Sequence, residues 1–262
     1  MKLVLTGAAG RVASLARPIF LEKGIEVVLV DTQPIASCQA NEQFQQLDFC
    51  SSDLATSDWS DIDGIIHLGG FSDNAPLSDL LRVNIAGYQN ILNAAINSGV
   101  DKVIYASSMH VLGFYPADHP FSGEEKYAVD SLYGFSKAGA ELLSDLYAEK
   151  SNLSILSVRI GTVNLKPQDA RQLLTWLHPE DFVDLCIQAI FQKFSGHKRM
   201  LGVSKNDFGW NDPVADEIGY NPRYSSRRFT GSIEYNNPVG LIGGRFSAGD
   251  LPAHKISKSE KS

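Results

Sequence analysis

Short apolar runs alternate along the chain with stretches of helical periodicity, and this alternation predicts the order of the elements. Lys2–Thr6 is an apolar run stopped by Gly7, as expected of a strand buried on both faces. From Gly10 to Lys23 the pattern is helical, and Gly24 ends it. Ile25–Val30 is a second, β-branched run closed by Asp31, Phe44–Leu47 a weaker third before Asp48, and Ile62–Leu68 a fourth closed by Gly69-Gly70. Pro76 opens a long helix with Leu81, Ile85, Tyr88, Leu92 and Ile96 as its apolar positions and Gly99 as its stop. Val100–Ala106 reads as a fifth strand and Leu153–Ile160 as a sixth. Between them a helix runs from about Ser131 to Lys150, with Leu132, Phe135, Gly139, Leu142, Leu143 and Leu146 as its expected core face. Strands alternating with helices pair in parallel through right-handed crossovers, so the predicted class is α/β with a doubly wound parallel sheet.

Sheets of this kind bind ligands at the carboxyl ends of their strands, so the residues just after each run matter most. The first run is followed by Thr6-Gly7-Ala8-Ala9-Gly10-Arg11-Val12-Ala13. A glycine turn feeding a helix lets backbone N–H groups approach a pyrophosphate, whose charge the helix dipole favours. Ala13 in place of a third glycine is tolerable, because that position serves helix–strand packing. Asp31 follows about 20 residues on, where a carboxylate binds adenosine ribose hydroxyls and repels a 2′-phosphate. Thr32-Gln33 offer no arginine to receive such a phosphate, so NAD is expected over NADP. The plainer alternative for Asp31 is a turn cap.

Tyr133 and Lys137 stand four residues apart, on one face of the predicted helix and flanking its expected core stripe. A phenol is a weak base near neutrality, and a neighbouring ammonium lowers its pKa. Tyr-x-x-x-Lys alone is common; its position after Ser107-Ser108 at the end of the fifth strand makes it candidate chemistry, because a hydroxyl there can hold a substrate oxygen. Asn84 lies near the apolar face of the preceding helix, where a buried amide needs partners. It either bonds backbone or supports a water chain to the lysine, the first being favoured.

Composition narrows the class further. The 262 residues suit one domain with a small appendage, and 44% hydrophobic with 20% charged residues excludes a disordered chain. No apolar run approaches the roughly 20 residues of a membrane span. A formal net charge of −7 speaks against a nucleic-acid or anionic-membrane surface. Cys38, Cys50 and Cys186 are odd in number and widely spaced, which suits reduced thiols rather than disulfides or a metal site. The run Leu3–Leu5 is too short for a signal peptide, so a cytoplasmic location is expected.

Thr6-Gly-Ala-Ala-Gly10, His67-Leu-Gly-Gly70, Ser107-Ser108 and Tyr133-Gly-Phe-Ser-Lys137 together resemble the extended short-chain dehydrogenase/reductase superfamily, in order and spacing over residues 1–161. Further stretches are similar to one branch, the uronate dehydrogenases: Tyr105-Ala-Ser-Ser-Met-His-Val-Leu-Gly-Phe-Tyr-Pro116, Val158-Arg-Ile-Gly161, Arg171-Gln-Leu-Leu-Thr-Trp176, Glu180-Asp-Phe182 and Asn206-Asp-Phe-Gly-Trp210. The resemblance reaches to about Arg245. It implies a Rossmann-type sheet with a small C-terminal substrate-binding cap, divided as 1–161 core including the catalytic helix, 162–248 cap interleaved with the last sheet elements, and 249–262 polar tail. It also implies NAD-dependent oxidation of galacturonate or glucuronate at C1 to the aldarolactone.

Carried over by residue, the resemblance makes Tyr133 the general base, Lys137 the holder of the nicotinamide ribose and Ser108 the partner of the reacting oxygen. Gly7, Ala9, Gly10, Arg11, Val12, Asp31, Asp48, Phe49, Leu68, Gly69, Gly70, Asn84, Ser107 and Ile160 are expected around the cofactor. Ser72, Ser108, Met109, His110, Gly161 and Thr162 are expected around the sugar, with Arg171 gripping its carboxylate through two parallel N–H groups. In isolation Arg171 reads as a surface arginine, His67 as structural, and Trp176 and Trp210 as core or wall. Met109 stands where the branch usually has Asn, and relatives acting on glucose 6-phosphate or sulfoquinovose also oxidise anionic sugars at C1, so those substrates remain open. A sugar epimerase and a non-catalytic NAD-sensing protein rank lower. The partner expected is a small sugar acid, with no nucleic acid, membrane or metal, and a homo-oligomer formed through the helices around 77–98 and 131–150.

Overall fold

The computed structural model describes residues 1–52, 54, 57–206, 212–233 and 240–248. Asp207–Trp210 of one motif and the tail from Gly249 lie outside them. β1 (Lys2–Thr6) turns into α1 (Arg11–Glu22), followed by β2 (Glu26–Asp31), β3 (Glu42–Gln46) and β4 (Gly64–His67). A long helix comes next: α2 (Leu77–Leu80), a π-wound stretch (Leu81–Gly87) and α3 (Tyr88–Ser98) run on from one another. β5 (Lys102–Ser108), α4 (Leu132–Lys150) and β6 (Ser154–Ile160) complete the first part of the chain. Thereafter come β7 (Thr162–Val163), α5 (Ala170–Thr175), β8 (Trp176–Leu177), α6 (Pro179–Phe191), β9 (His197–Gly202) and α7 (Pro213–Glu217).

Seven strands form one sheet in the order β3-β2-β1-β4-β5-β6-β9, with every neighbouring pair parallel. The order reverses between β1 and β4, which opens a crevice at the carboxyl ends of those strands. This is the doubly wound parallel sheet expected from the alternation, of the Rossmann type that the resemblance implies. β7 and β8 pair separately as a small parallel ladder beside it.

Side-chain alternation along the strands divides the core in two. Leu3, Leu5, Val27, Leu29, Ile66 and Leu156 point to the face covered by α1 and α6, where Ala13, Ala16, Phe20, Phe182, Val183 and Cys186 meet them. Val4, Val28, Val30, Ile65, Val103 and Ile155 point to the other face and pack on Tyr88, Ile91, Leu92 and Ala95 of α3 and Ala140 of α4. A third cluster, Met109, Val111, Leu112, Phe121, Ala138, Leu201 and Ile242, lies under the loop after β5.

Two expectations change. The strand β9 has a charged first half, His197-Lys198-Arg199, and only its last three residues are buried, so it carries too little apolar signal to be read as a sheet strand. More consequentially, α4 faces the opposite way from its apolar stripe. Phe135, Leu142 and Leu146 are exposed, Leu132 and Leu143 are half-buried, and the buried face is Tyr133, Ser136, Lys137, Ala140, Glu141 and Ser144. Leu81 and Ile96 of the preceding helix are likewise exposed, while Tyr88 and Leu92 are buried as expected.

The inward polar face is tolerable because its charges are matched. The wholly buried Glu141 carboxylate accepts hydrogen bonds from Arg159 Nε and Nη2 of β6 (3.2 and 2.9 Å) and from Ser107 Oγ of β5 (2.5 Å). Tyr127 Oη and Arg199 Nε of β9 complete its shell at 3.1 Å each. Burial opposes its ionisation, yet the Arg159 guanidinium and these hydrogen bonds hold the carboxyl below its ordinary value. Removing one member leaves a buried charge unpaired. Glu141→Gln is therefore expected to cost about 3–5 kcal/mol in urea unfolding at neutral pH. A depressed carboxyl contributes stability above its unfolded pKa, so that contribution is present above about pH 4. It is lost as pH falls through the lower folded value, and the difference between native and variant midpoints should narrow in acid.

Candidate active site

The turn after β1 and the turn after β4 press backbone against backbone. Gly7 has φ +69°, and a Cβ on it would lie 2.7 Å from the Gly69 nitrogen. Gly70, at φ +136°, would meet the Asn84 Oδ1 atom at 2.6 Å. Both positions need glycine on conformation and on space. Asn84 comes from the π-wound stretch. Its Oδ1 accepts from Phe71 N (2.8 Å), and its amide donates to Phe71 O (3.2 Å) and to Ser136 Oγ of α4 (2.9 Å). It thus clamps the β4 turn to α4, the structural alternative foreseen for it.

A continuous cleft runs across this crevice. Its outer half is lined by Asp31, Thr32, Asp48, Phe49, Cys50, Gly69, Arg82 and Val83. Gly7, Gly10, Leu68, Gly70 and Phe71 are shared with the inner half, which also includes Arg11, Val12, Ser72, Ser107, Ser108, His110, Tyr133, Lys137, Ile160 and Gly161. The Asp31 carboxylate accepts from Ala9 N (2.9 Å) and Gln33 N (2.8 Å), fixing it beside the glycine turn. Bare backbone opposite the N-terminus of α1, with a carboxylate at one end, suits the diphosphate and ribose of a dinucleotide.

In the inner half, strand β5 runs two residues further than predicted, to Ser108. The two serines diverge: Ser107 gives its hydroxyl to Glu141, whereas Ser108 accepts from His110 N (3.2 Å) and lines the cavity with Tyr133. Ser131 caps α4 by accepting from Gly134 N, and Asn74 Oδ1 receives the Tyr133 N–H at 3.2 Å. Lys137 Nζ donates to the carbonyl of Ala106 (2.8 Å) and lies 4.8 Å from the Tyr105 ring centre. Burial pushes the Tyr133 phenol up to about 12, with the Ser108 hydrogen bond opposing, and pushes the Lys137 ammonium down to about 7, with Glu141 opposing. The expected lowering of the tyrosine by the lysine is not what the protein alone produces. Desolvation dominates both groups, and Nζ sits 5.9 Å from the Tyr133 ring centre.

Five predicted positions lie away from the cavity lining, Ala9 and Asn84 on the cofactor side and Met109, Thr162 and Arg171 on the sugar side. Met109 is 1% exposed and packs in the third hydrophobic cluster. Thr162 belongs to the β7–β8 ladder. Arg171 lies beneath residues 240–248, where its Nε donates to Ile242 O at 2.5 Å and burial lowers its pKa. His67 is buried with Nδ1 against Thr6 Oγ1 (2.6 Å) and stacks on Tyr88, a structural place. Trp176 is buried with its indole N–H on Asn164 O. Sequence reasoning missed Phe71, Cys50 and Arg82 in the cleft and Asn74, Asp130 and Glu141 behind it. Glu141 had a legible signal, standing four residues beyond Lys137 on the same helical face.

Residues 3–164 match the model of the NAD dependent epimerase/dehydratase family. The uronate dehydrogenase of Pseudomonas syringae pv. tomato is 32% identical over 235 residues, which cover 89% of this chain and 86% of that protein. The crystal structure of a glucuronic acid dehydrogenase from Chromohalobacter salexigens superposes with a TM-score of 0.89 at 35% identity, over 96% of this chain and 98% of that one. That of a uronate dehydrogenase from Agrobacterium tumefaciens gives 0.87 at 30% identity, over 95% and 97%. The chain therefore belongs to the NAD dependent epimerase/dehydratase family and, within it, groups with the uronate dehydrogenases.

Proposed function

We propose that this protein oxidises a hexuronate, galacturonate or glucuronate, at C1 to the aldarolactone with NAD as its cofactor. The observation that carries the reading is the meeting of Tyr133, Ser108 and Lys137 on the wall of one cavity that opens onto the glycine cradle. Similarity to uronate dehydrogenases along nearly the whole chain supports the substrate class.

Gly7, Gly10, Arg11 and Val12 would hold the diphosphate at the start of α1, and Asp31 would take the adenosine ribose hydroxyls. NAD supplies the acceptor for the hydride that leaves C1. The ring form of the sugar presents its anomeric hydroxyl to Tyr133, whose oxygen takes the proton while Ser108 holds the sugar oxygen. C1 loses a hydrogen and O1 a proton, so the C1–O1 bond becomes the lactone carbonyl. Lys137, anchored on Ala106 O, would donate to the nicotinamide ribose and places a cation near the ionising phenol. Residues 162–248 contribute the cap over the sugar end. Arg171 donates Nε to Ile242 O, and we assign its Nη groups to the sugar carboxylate.

No described helix is long and apolar enough to cross a membrane. A cytoplasmic protein is supported by Cys38, Cys50 and Cys186, which form no disulfide. The outward Phe135, Leu142 and Leu146 of α4, with Leu77, Leu81 and Ile96 on the preceding helix, support a homo-oligomer that covers these side chains.

Mixing protein, NAD and candidate sugars should produce NADH absorbance with hexuronates. Turnover of another acidic aldose with none on any hexuronate would overturn the substrate reading. Tyr133→Phe should lose turnover by at least roughly 100-fold with NAD binding retained. Because burial raises the phenol, its ionised fraction grows with pH, and kcat/KM should climb between about pH 6 and about pH 9. Arg171→Ala should raise KM for hexuronates by roughly 10- to 100-fold while leaving any activity on neutral aldoses little changed.

A further inference from the structure

The loop before α4 buries a second carboxylate that the reaction as described does not use. The Asp130 side chain is fully buried, and its Oδ2 lies 2.8 Å from His110 Nδ1. His110 lines the sugar end of the cavity beside Ser108 and Tyr133. We propose that Asp130 is a positioning residue that holds the His110 imidazole with Nδ1 protonated, so that Nε2 meets a sugar hydroxyl as a hydrogen-bond acceptor. The inference deepens the dehydrogenase reading and rests on it for the identity of the sugar.

Three observations carry it. First, an ionised carboxylate has only acceptor atoms, so a bond between Asp130 and Nδ1 requires the proton on Nδ1. In the neutral ring that leaves Nε2 as the acceptor, and a ring nitrogen's role is set by the bond its partner nitrogen makes. Second, the chain has made room for this carboxylate. A Cβ at either Gly113 or Gly243 would overlap Oδ2, so two glycines far apart in sequence leave the space that it fills.

Third, the carboxylate is anchored on both sides and closed over. Ser131 Oγ, the cap of α4, donates to Oδ1 at 2.8 Å, and Ser247 Oγ reaches Oδ2 at 3.2 Å. The segment 240–248 seals the pair: Gly243 N donates to Gly113 O (3.0 Å) and Ser247 Oγ to the same carbonyl (2.9 Å). Phe246 then lies against the imidazole, with 4.3 Å between ring centres, and 6.2 Å from the Tyr133 ring. A hydrogen bond shielded in this way fixes ring orientation more firmly than one open to water.

Asp130→Asn is the informative variant, because it keeps the size of the side chain while its amide can donate to Nδ1 and invert the tautomer. KM for the hexuronate should rise about tenfold, with the Kd for NAD unchanged and kcat altered much less. In a His110→Gln background the same change should add nothing to KM, since the two residues act as one unit. A further tenfold rise there would overturn the proposal, as would an Asp130→Asn KM within twofold of native. Long-range proton–nitrogen correlation spectra of the native protein, assigned with His110→Gln, should show Nδ1 carrying the proton in the neutral ring. A native Nε2–H tautomer would overturn the proposal even if Asp130→Asn failed to fold. The spectra need no substrate, so failure of the hexuronate reading and failure of this proposal are separately visible.

Discussion

The polar face that α4 turns into the protein is the constraint on which the rest of the structure depends. Tyr133, Lys137 and Glu141 follow at four-residue steps along that face, and none of them is stable in the interior by itself. The sheet delivers partners to the two charged ones: the Ala106 carbonyl of β5 to Lys137, and Ser107 of β5 with the arginines of β6 and β9 to Glu141. The sheet order is thus not only a way to bury valines. Placing β9 against β6 brings Arg199 to a carboxylate on the opposite element, and Arg199 in turn ties Asp145 at the surface to the same network.

The same burial sets the character of the reacting groups. In water a phenol and an ammonium differ little in their readiness to hold a proton. Inside this fold both are pushed toward their neutral forms, the phenol up to about 12 and the ammonium down to about 7. Glu141 pulls the lysine back toward its charge, and Ser108 pulls the tyrosine toward the phenolate. The balance is therefore held by residues behind and beside the pair more than by the pair itself.

The fold was legible because parallel strands buried on both faces leave near-continuous apolar runs, and the glycine punctuation gave their ends. The nucleotide end of the site was legible for the same reason, since Gly7, Asp31 and Gly70 lie immediately after strands. The facing of α4 was not. Its leucines and its polar residues occupy opposite sides, and hydrophobicity alone assigns the leucines inward; only the matched charges of Glu141 and Arg159 reverse that assignment. The surroundings of Met109 and Arg171 were not legible for a related reason. Ser108 and His110 line the cavity, but a tight turn after Ser108 swings Met109 into a separate apolar cluster, and the carbonyl of Ile242, 71 residues away, holds Arg171 under a distant segment. Contacts of that kind leave no periodic trace.

The closure of residues 240–248 over Asp130 divides the site by origin. The cradle for the dinucleotide comes from β1, β2 and β4 and the turns that follow them, a contiguous early part of the chain. The sugar end is assembled from the β5 loop, the start of α4 and this distant segment, which meet only in space. Sequence changes in residues 240–248 can therefore alter the support behind His110 while the cradle keeps its form. Substrate choice and cofactor choice are in this way separately heritable, carried by stretches of chain that can diverge at different rates.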